Sequence, residues 1–280
     1  MGVFQGVEAA LAGVLGLLIG SFLNVVIYRL PKMMERQWAA ECADMSGTSL
    51  PESEPFNLML PRSRCQPCGH QIRWYENIPV LSYFFLRGKC SACGVAISLR
   101  YPLVELATAA LFAFCAWKWS ASPTTLVWAA FSASLLTLGM IDWDTTLLPD
   151  DITLPLLWGG LVAAALQWTN VPLIAALWGA VAGYLSLWLV YWAFKLVTGK
   201  EGMGYGDFKL FAALGVWFGW QALIPIILMA SVIGAIVGIA MKFSTGLREG
   251  GYVPFGPFLA GAGLTAMVFG PQSILRFMGL

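Results

Sequence analysis

Residues Glu201–Gly215 read EGMGYGDFKLFAALG and place an acid, Asp207, behind three glycines at the entrance of an apolar segment. The apolar residues that follow are typical of a helix in a membrane protein. An ionisable group at the edge of a membrane bundle costs free energy, so its presence requires a reason. The stretch predicts a short membrane-embedded helix whose first turn carries either a reactive acid or a helix cap.

The composition of the whole chain also indicates a membrane protein. Of its 280 residues 59% are hydrophobic and 11% are charged, and the mean hydropathy is +0.74. A water-soluble domain of this size rarely tolerates such values. We predict an all-α polytopic membrane protein with about eight transmembrane helices, the sixth too short to span alone. The candidate segments run approximately from Gly6 to Ile27, Leu103 to Trp119, Thr125 to Ile141, Ile152 to Trp168, Leu173 to Val197, Phe208 to Phe218, Gln221 to Met241 and Phe255 to Met278.

Lysines and arginines lie mostly on one side of these segments. Of the sixteen basic residues, only Lys118 and Arg276 fall on the opposite side. The positive-inside rule places the loop between the first two segments in the cytoplasm and both termini in the periplasm. The first segment lacks a basic n-region and a small-residue cleavage site, so we expect a retained helix and not a removed signal peptide.

The loop over residues 30–101 is much longer than an ordinary connection between packed helices. Its polar part, Glu35–Phe56, predicts a mobile linker or arm. Residues 62–98 form a separate cytoplasmic module. The predicted division of the chain is therefore a first transmembrane helix over 1–29, a cytoplasmic loop over 30–101 and a transmembrane domain over 102–280.

Two C-x-x-C-G motifs stand in the module. Each can supply two thiolates to one ion, and the following Gly69 or Gly94 allows the positive φ of a tight knuckle. Two disulfides or four unrelated thiols are the alternatives, but disulfides seldom persist in the reducing cytoplasm. The spacing predicts one structural zinc ion with four ligands, Cys65, Cys68, Cys90 and Cys93.

Three further residues resemble ligands or nucleophiles by type only. His70 is the single histidine and follows the first knuckle. Because four thiolates already complete a tetrahedral set, we expect it beside the ligands or on the surface. Cys42 and Cys115 are expected to be inert thiols.

Acids near the predicted membrane edge form two clusters, IDWDTTLLPDDITLP over 141–155 and GYGD over 204–207. The predicted topology puts both clusters on the cytoplasmic side, at the ends of different helices. Two close aspartates cannot easily both ionise, so one can stay protonated while the other activates a water against a peptide carbonyl. Gly204 and Gly206 would let another backbone approach Asp207 closely. The isolated acids Glu8 and Glu105 are expected to be solvated or to act as caps.

Four aspartates compete to be the partner of Asp207. Asp142 shares a helix face with Leu135, Leu138 and Gly139, and the glycine would let a neighbouring helix come close. It is also nearer the apolar segment than Asp144, so helix geometry ranks it first and Asp144 a close second. Asp150 and Asp151 are better suited to the N-terminus of the next helix.

The residues of nearly the full chain resemble the bacterial type IV prepilin peptidases. The stretches that carry the resemblance are GSFLNVVIYRLP from Gly20, NLMLPRSRCQPCGH from Asn57, ENIPVLSYFFLRGKCSACG from Glu76, SLRYPLVEL from Ser98, IDWDTTLLPDDITLPLLW from Ile141 and GMGYGDFKLFAALG from Gly202. The first knuckle departs from the family's usual pattern, since CQPC has glutamine directly after the first cysteine. The polar arm is also long.

The resemblance implies a GxGD-type aspartyl protease of the bacterial inner membrane. Such an enzyme cuts the basic leader from prepilins and pseudopilins in the membrane and then methylates the new N-terminal residue with S-adenosylmethionine. It implies Asp142 and Asp207 as the catalytic pair, Lys209 as a residue that tunes Asp207 or contacts substrate, and a zinc module associated with both activities. No glycine-rich strand-to-helix motif indicates where the methyl donor binds, and no nucleic-acid partner is expected.

Two other hypotheses use the same residues. In a proton- or metal-coupled transporter, Asp142, Asp144 and Asp207 would line an ion path. The clustering of the acids at one edge, and the absence of an apparent inverted repeat, argue mildly against it. In a noncatalytic assembly scaffold, the zinc module would serve docking alone.

Overall fold

The computed structural model of this chain describes residues 2–48, 55–244, 253–277 and 279. Within these ranges the chain forms ten α-helices, two short 3-10 helices and no β-strand, so the predicted all-α class is confirmed. The helices are α1 Gly2–Met45, α2 Leu81–Phe85, α3 Arg100–Trp119, α4 Pro123–Thr145, α5 Asp150–Ala165, α6 Leu173–Thr198, α7 Tyr205–Phe218, α8 Leu223–Ser244, α9 Gly256–Phe269 and α10 Pro271–Phe277.

Four stretches of helix are long and apolar enough to cross a membrane: Phe4–Met45, Pro123–Thr145, Leu173–Thr198 and Trp220–Phe243. The pair α9 and α10 qualifies as a fifth if its bend of 102° lies within one span. These candidate spans are the ones found among the residues that the structure describes. The chain is therefore a membrane protein, and the count of eight spans stays a prediction.

Helix α1 continues well past the predicted end of the first span. Its 44 residues correspond to about 66 Å at 1.5 Å per residue, against a hydrocarbon core of about 30 Å. The prediction of a mobile arm from Glu35 is wrong up to Met45, because Met, Glu, Arg, Gln and Ala are all good helix formers. Gln37 also donates to Glu41 one turn later, at 2.9 Å.

Several sequence-based expectations concern residues outside the described ranges. They are the remainder of the predicted arm with Pro51, Glu52 and Glu54, the basic residue Arg248, and the chain ends Met1 and Leu280.

The chain divides into two compact units, Met1–Thr125 and Leu126–Leu280. In the first unit α1 packs along α3 through two glycines one turn apart. A Cβ on Gly16 would lie 2.7 Å from the Cα of Ala109, and a Cβ on Gly20 would lie 2.7 Å from the Cα of Glu105. Such a small-xxx-small pattern lets two membrane helices touch through their backbones. The first unit includes α3 and ends in the first turn of α4, and the predicted domain bounds stay a prediction.

In the second unit α7 forms the centre of the bundle. Its residues from Asp207 to Trp217 are buried, apart from the half-buried Lys209. Its 14 residues correspond to about 21 Å, too short to span the core alone, as predicted. Trp217 locks α7 to α5 by donating from Nε1 to the Leu156 carbonyl at 3.0 Å. A helix that is apolar on all sides is stable only when neighbours surround it.

Candidate functional site

Asp207 lies inside the first turn of α7 and is 7% exposed. Gly204 holds the N-cap position, so the alternative that Asp207 is the helix cap is wrong. The Asp207 Oδ1 atom is buried, and within the described part of the chain no donor forms a hydrogen bond with it. A buried carboxylate oxygen without a donor is costly. Its presence at a helix start indicates a functional group rather than a structural one.

Asp142 lies in the last turns of α4 and is 5% exposed. Leu135 and Leu138 on the same face are fully buried. Gly139 admits α9, because a Cβ there would lie 3.2 Å from the Ala260 Cβ. The predicted close approach at this glycine is confirmed.

The two buried carboxyl groups of Asp142 and Asp207 are near enough to interact electrostatically. Asp144, the second candidate, is exposed. The fold therefore brings together the pair that ranked first on helix geometry. Two buried acids in this relation favour a state in which one of them carries a proton.

Glycines create the space around these acids. A Cβ on Gly206 would lie 2.7 Å from the Leu148 Cβ, so Leu148 packs directly on the backbone beside Asp207. A Cβ on Gly256 would lie 2.6 Å from the Asp142 Oδ2. At Gly204 a Cβ would meet nothing nearer than the Asp207 Oδ2 at 3.8 Å, so the protein's own packing does not require glycine there.

Lys209 lies on the same helix as Asp207 but forms an ion pair with Asp150. Its Nζ lies 2.6 and 2.8 Å from the two carboxylate oxygens of Asp150, which begins α5. The pair joins the N-terminal turns of α5 and α7 at the edge of the bundle. The structure therefore gives Lys209 an anchoring contact on Asp150.

The four cysteines of the module over residues 62–98 converge, with all four sulfur atoms within 4.8 Å of one another. The Sγ atoms of Cys65 and Cys93 lie 3.8 Å apart, and those of Cys68 and Cys90 lie 4.0 Å apart. A tetrahedron with metal–sulfur bonds of about 2.3 Å has edges of about 3.8 Å, so the set fits zinc. Because four thiolates leave no open position, such an ion would be structural.

Each knuckle has the same local design. The amide of Gly69 donates to the Cys65 carbonyl at 2.9 Å, and that of Gly94 donates to the Cys90 carbonyl at 2.9 Å. Both glycines have positive φ, +71° and +72°, as the motif predicts. The amides of Cys93 and Ala92 face the thiol of Cys90 and lower its pKa to about 6, while the pKa values of Cys65 and Cys93 in the same cluster are raised.

His70 stands beside the cluster and joins the two knuckles. Its Nε2 lies 3.3 Å from both the Ser91 hydroxyl and the Glu76 carboxylate. Glu76 also accepts the Arg73 amide at 2.8 Å. That amide, with further hydrogen bonds from Ser91 and His70, lowers the pKa of Glu76 to about 2. His70 thus supports the module from beside the four cysteines, through its contacts with Glu76 and Ser91.

Sequence reasoning missed two residues. Gly256 stands before Pro257, and a Gly-Pro pair is a recognisable signal of a turn or a helix start, but its nearness to Asp142 depends on how α9 packs. Glu105 is neither solvated nor a cap. It is 8% exposed, and its Oε2 accepts the Val80 amide at 2.7 Å, 25 residues away in the chain.

These features together define a helical membrane protein with two buried, interacting aspartates and a separate four-cysteine centre. Two family models match the chain. Residues 14–119 match the bacterial peptidase A24 N-terminal domain, and residues 129–239 match the type IV leader peptidase family. No solved structure matches the chain.

Relatives of known type cover almost the whole chain. A prepilin leader peptidase/N-methyltransferase of Pseudomonas putida is 56% identical over 263 residues, which is 94% of this chain and 91% of the relative. The protein of the same name from Pseudomonas aeruginosa is 53% identical, over 95% and 92% of the two chains. One from Burkholderia pseudomallei is 49% identical, over 98% and 89%. The chain belongs to the type IV leader peptidase family. These matches do not support the transporter alternative.

Proposed function

We propose that this chain cleaves the leader peptide of prepilins and then methylates the new N-terminal residue. The observation that carries the proposal is the pair of buried, interacting carboxyl groups of Asp142 and Asp207, in a chain about half identical over most of its length to prepilin leader peptidase/N-methyltransferases. Type II secretion pseudopilins are proposed as substrates as well.

Cleavage uses one carboxylate and one carboxylic acid. The ionised aspartate takes a proton from a water molecule as the water oxygen attacks the scissile carbonyl carbon. The protonated aspartate donates to the carbonyl oxygen. The tetrahedral adduct then collapses, the C–N bond breaks and the leaving nitrogen receives a proton. The net reaction adds one water across the peptide bond, and burial strengthens each electrostatic interaction.

The neighbouring residues have supporting roles in this proposal. Gly206 lets Leu148 close one side of the site, and Gly204 leaves open backbone beside Asp207 for an extended substrate strand. Lys209 acts through Asp150, since their ion pair fixes the start of α7 and therefore the carboxyl group of Asp207.

Methylation follows cleavage, because the α-amine that receives the methyl group exists only after the peptide bond is cut. S-adenosylmethionine would supply an electrophilic methyl group, whose bond to sulfur would break as its bond to the amine nitrogen forms and the amine loses a proton. Cys65, Cys68, Cys90 and Cys93 would hold a zinc ion that shapes the module. The proposed site of action is the bacterial inner membrane, with the module in the cytoplasm and both termini in the periplasm.

The test uses full-length protein in detergent with a prepilin peptide that spans the cleavage site. Asp142→Asn and Asp207→Asn are each expected to lower the cleavage rate by at least a thousandfold. An amide can neither accept the proton of the attacking water nor act as the carboxylic acid that protonates the carbonyl oxygen. Asp144→Asn is the matched control and should cleave within about twofold of wild type, since Asp144 is exposed. Wild-type cleavage by either dyad variant would refute the assignment.

A further inference from the structure

A cavity of about 510 Å³ lies within the first compact unit. Its wall combines residues of α1, of the knuckles and of the start of α3, among them Asn24, Arg29, Tyr101 and Glu105. Pockets that hold small molecules and cofactors usually measure about 300–1,000 Å³. The cavity is therefore large enough for a nucleoside-sized ligand, and the aspartate pair plays no part in it.

Glu105 gives this cavity a buried acid. The residue sits where α3 crosses Gly20 of α1, with its Oε2 held by the Val80 amide at 2.7 Å. Ser21 lines the same cavity. Val80 adopts a positive φ of 60°, which is uncommon for a β-branched residue. The chain thus accepts local strain at the residue that fixes the direction of the carboxylate.

Arg29 gives the same cavity a buried base. It is 7% exposed, and its guanidinium donates to the carbonyls of Asn57 at 2.8 Å and Pro61 at 2.6 Å. Both acceptors are neutral, so these contacts do not cancel the positive charge. Phe56, another lining residue, lies 5.7 Å from the guanidinium carbon. Buried charges of both signs are expensive to keep unless a ligand or a partner uses them.

A ligand that suits this lining has cationic and anionic groups, hydroxyls and an aromatic ring. S-adenosylmethionine has all of them: a sulfonium, an ammonium, a carboxylate, a ribose diol and adenine. A carboxylate can accept from the diol or attract a cation, a guanidinium can bind a carboxylate, and Tyr28, Tyr101 and Phe56 offer faces to the base. We propose that this cavity is the methyl-donor site, with Glu105 and Arg29 as its charged contacts. The inference rests on the proposed methyl transfer.

Direct binding tests the inference without the reaction. Zinc-loaded full-length protein in detergent is dialysed against radiolabelled S-adenosylmethionine. Glu105→Gln keeps the size of the side chain and an oxygen that can accept the Val80 amide, and it should weaken binding at least tenfold. Glu8→Gln is the matched control and should bind as wild type does. Glu8 lies on α1 and accepts the Ala121 amide at 3.0 Å, yet it does not line the cavity.

A second variant guards against loss of folding. Val95→Trp adds bulk to the cavity from a partly exposed position and should abolish binding, while zinc content and the unfolding midpoint stay near wild type. Unchanged binding in both Glu105→Gln and Val95→Trp would overturn the inference and leave the proposed function intact. Failure of the wild-type protein both to bind the donor and to methylate a precut peptide would overturn the proposed methyl transfer as well.

Discussion

Gly256 leaves the space in which the carboxyl group of Asp142 lies. Its backbone does not need positive φ, so alanine is acceptable for the helix itself, but the added Cβ would stand 2.6 Å from the Asp142 Oδ2. The carboxyl group would have to turn or shift. A displacement of about 1 Å at a reacting group is enough to lower a rate by about a hundredfold.

Gly256→Ala is therefore expected to reduce the turnover of a prepilin peptide by about a hundredfold, with a stability loss of about 1–3 kcal/mol from overpacking. Gly261→Ala on the same helix is the control, because a Cβ there meets nothing within 4 Å. Cleavage rates and unfolding midpoints of both variants check the prediction. Wild-type turnover in Gly256→Ala would show that the position of the Asp142 carboxyl group does not limit the reaction.

The rate of cleavage should depend on pH with a maximum. The proposed mechanism needs one aspartate ionised and the other protonated, so activity falls at low pH when both carry protons and at high pH when neither does. A pH series of single-turnover cleavage measures both limbs. Asp144→Asn should leave the profile unchanged, and a rate that stays constant across the whole range would contradict a shared proton.

At the scale of the helices, the crossing of α6 and α7 places Asp207. Gly179 and Gly215 touch through their backbones, and a Cβ on Gly179 would overlap the Gly215 carbonyl group. Gly183 extends this contact, since a Cβ there would lie 2.7 Å from the Phe211 carbonyl oxygen. Neither position can be relieved by moving a flexible side chain, because the obstacles are backbone atoms.

Gly179→Ala should push α6 away from α7. We expect a loss of at least about 1–3 kcal/mol in stability, as for overpacked cores, and a lower cleavage rate. Gly159→Ala on α5 is the matched control, with nothing within 4 Å of the added Cβ. Unfolding in detergent, followed by circular dichroism, compares the two. Equal unfolding midpoints would mean that the crossing can relax without cost.

At the scale of the whole molecule, the module over residues 62–98 depends on its metal. It contains two isolated β-bridges, Arg64–Gln71 and Lys89–Ala96, one short α-helix, α2, and one 3-10 helix, Trp74–Asn77, and many of its large side chains are exposed. So small a core supplies little stability by itself. A metal bound by four thiolates would contribute folding free energy directly.

Purified protein is expected to hold one zinc ion per chain, measured by atomic emission. Cys65→Ser should reduce the zinc content severalfold and make the module sensitive to protease, as should a strong chelator. Cys42→Ser is the control, because Cys42 is an exposed thiol on α1 outside the cluster. A metal-free protein with the protease resistance of the wild type would contradict a structural role for zinc.

The sequence alone determined the features that depend on neighbouring residues. Long apolar runs predicted helices in a membrane protein, and two C-x-x-C-G motifs predicted the four-cysteine cluster. A hydrophobic run and a ligand spacing each involve residues close together in the chain, so both can be recognised without knowledge of the tertiary packing. Helix periodicity ranked Asp142 only narrowly above Asp144, and the family resemblance decided between them.

Only the tertiary structure decided which distant residues meet. It placed Gly256 against Asp142, paired Lys209 with Asp150 and buried Glu105. Each of these contacts joins residues that are far apart in the chain, and helix packing brings them together. The residue type of Glu105 does not reveal whether water or a protein cavity surrounds its carboxylate. The physical reason is that burial and partners belong to the packed bundle and not to the local chain.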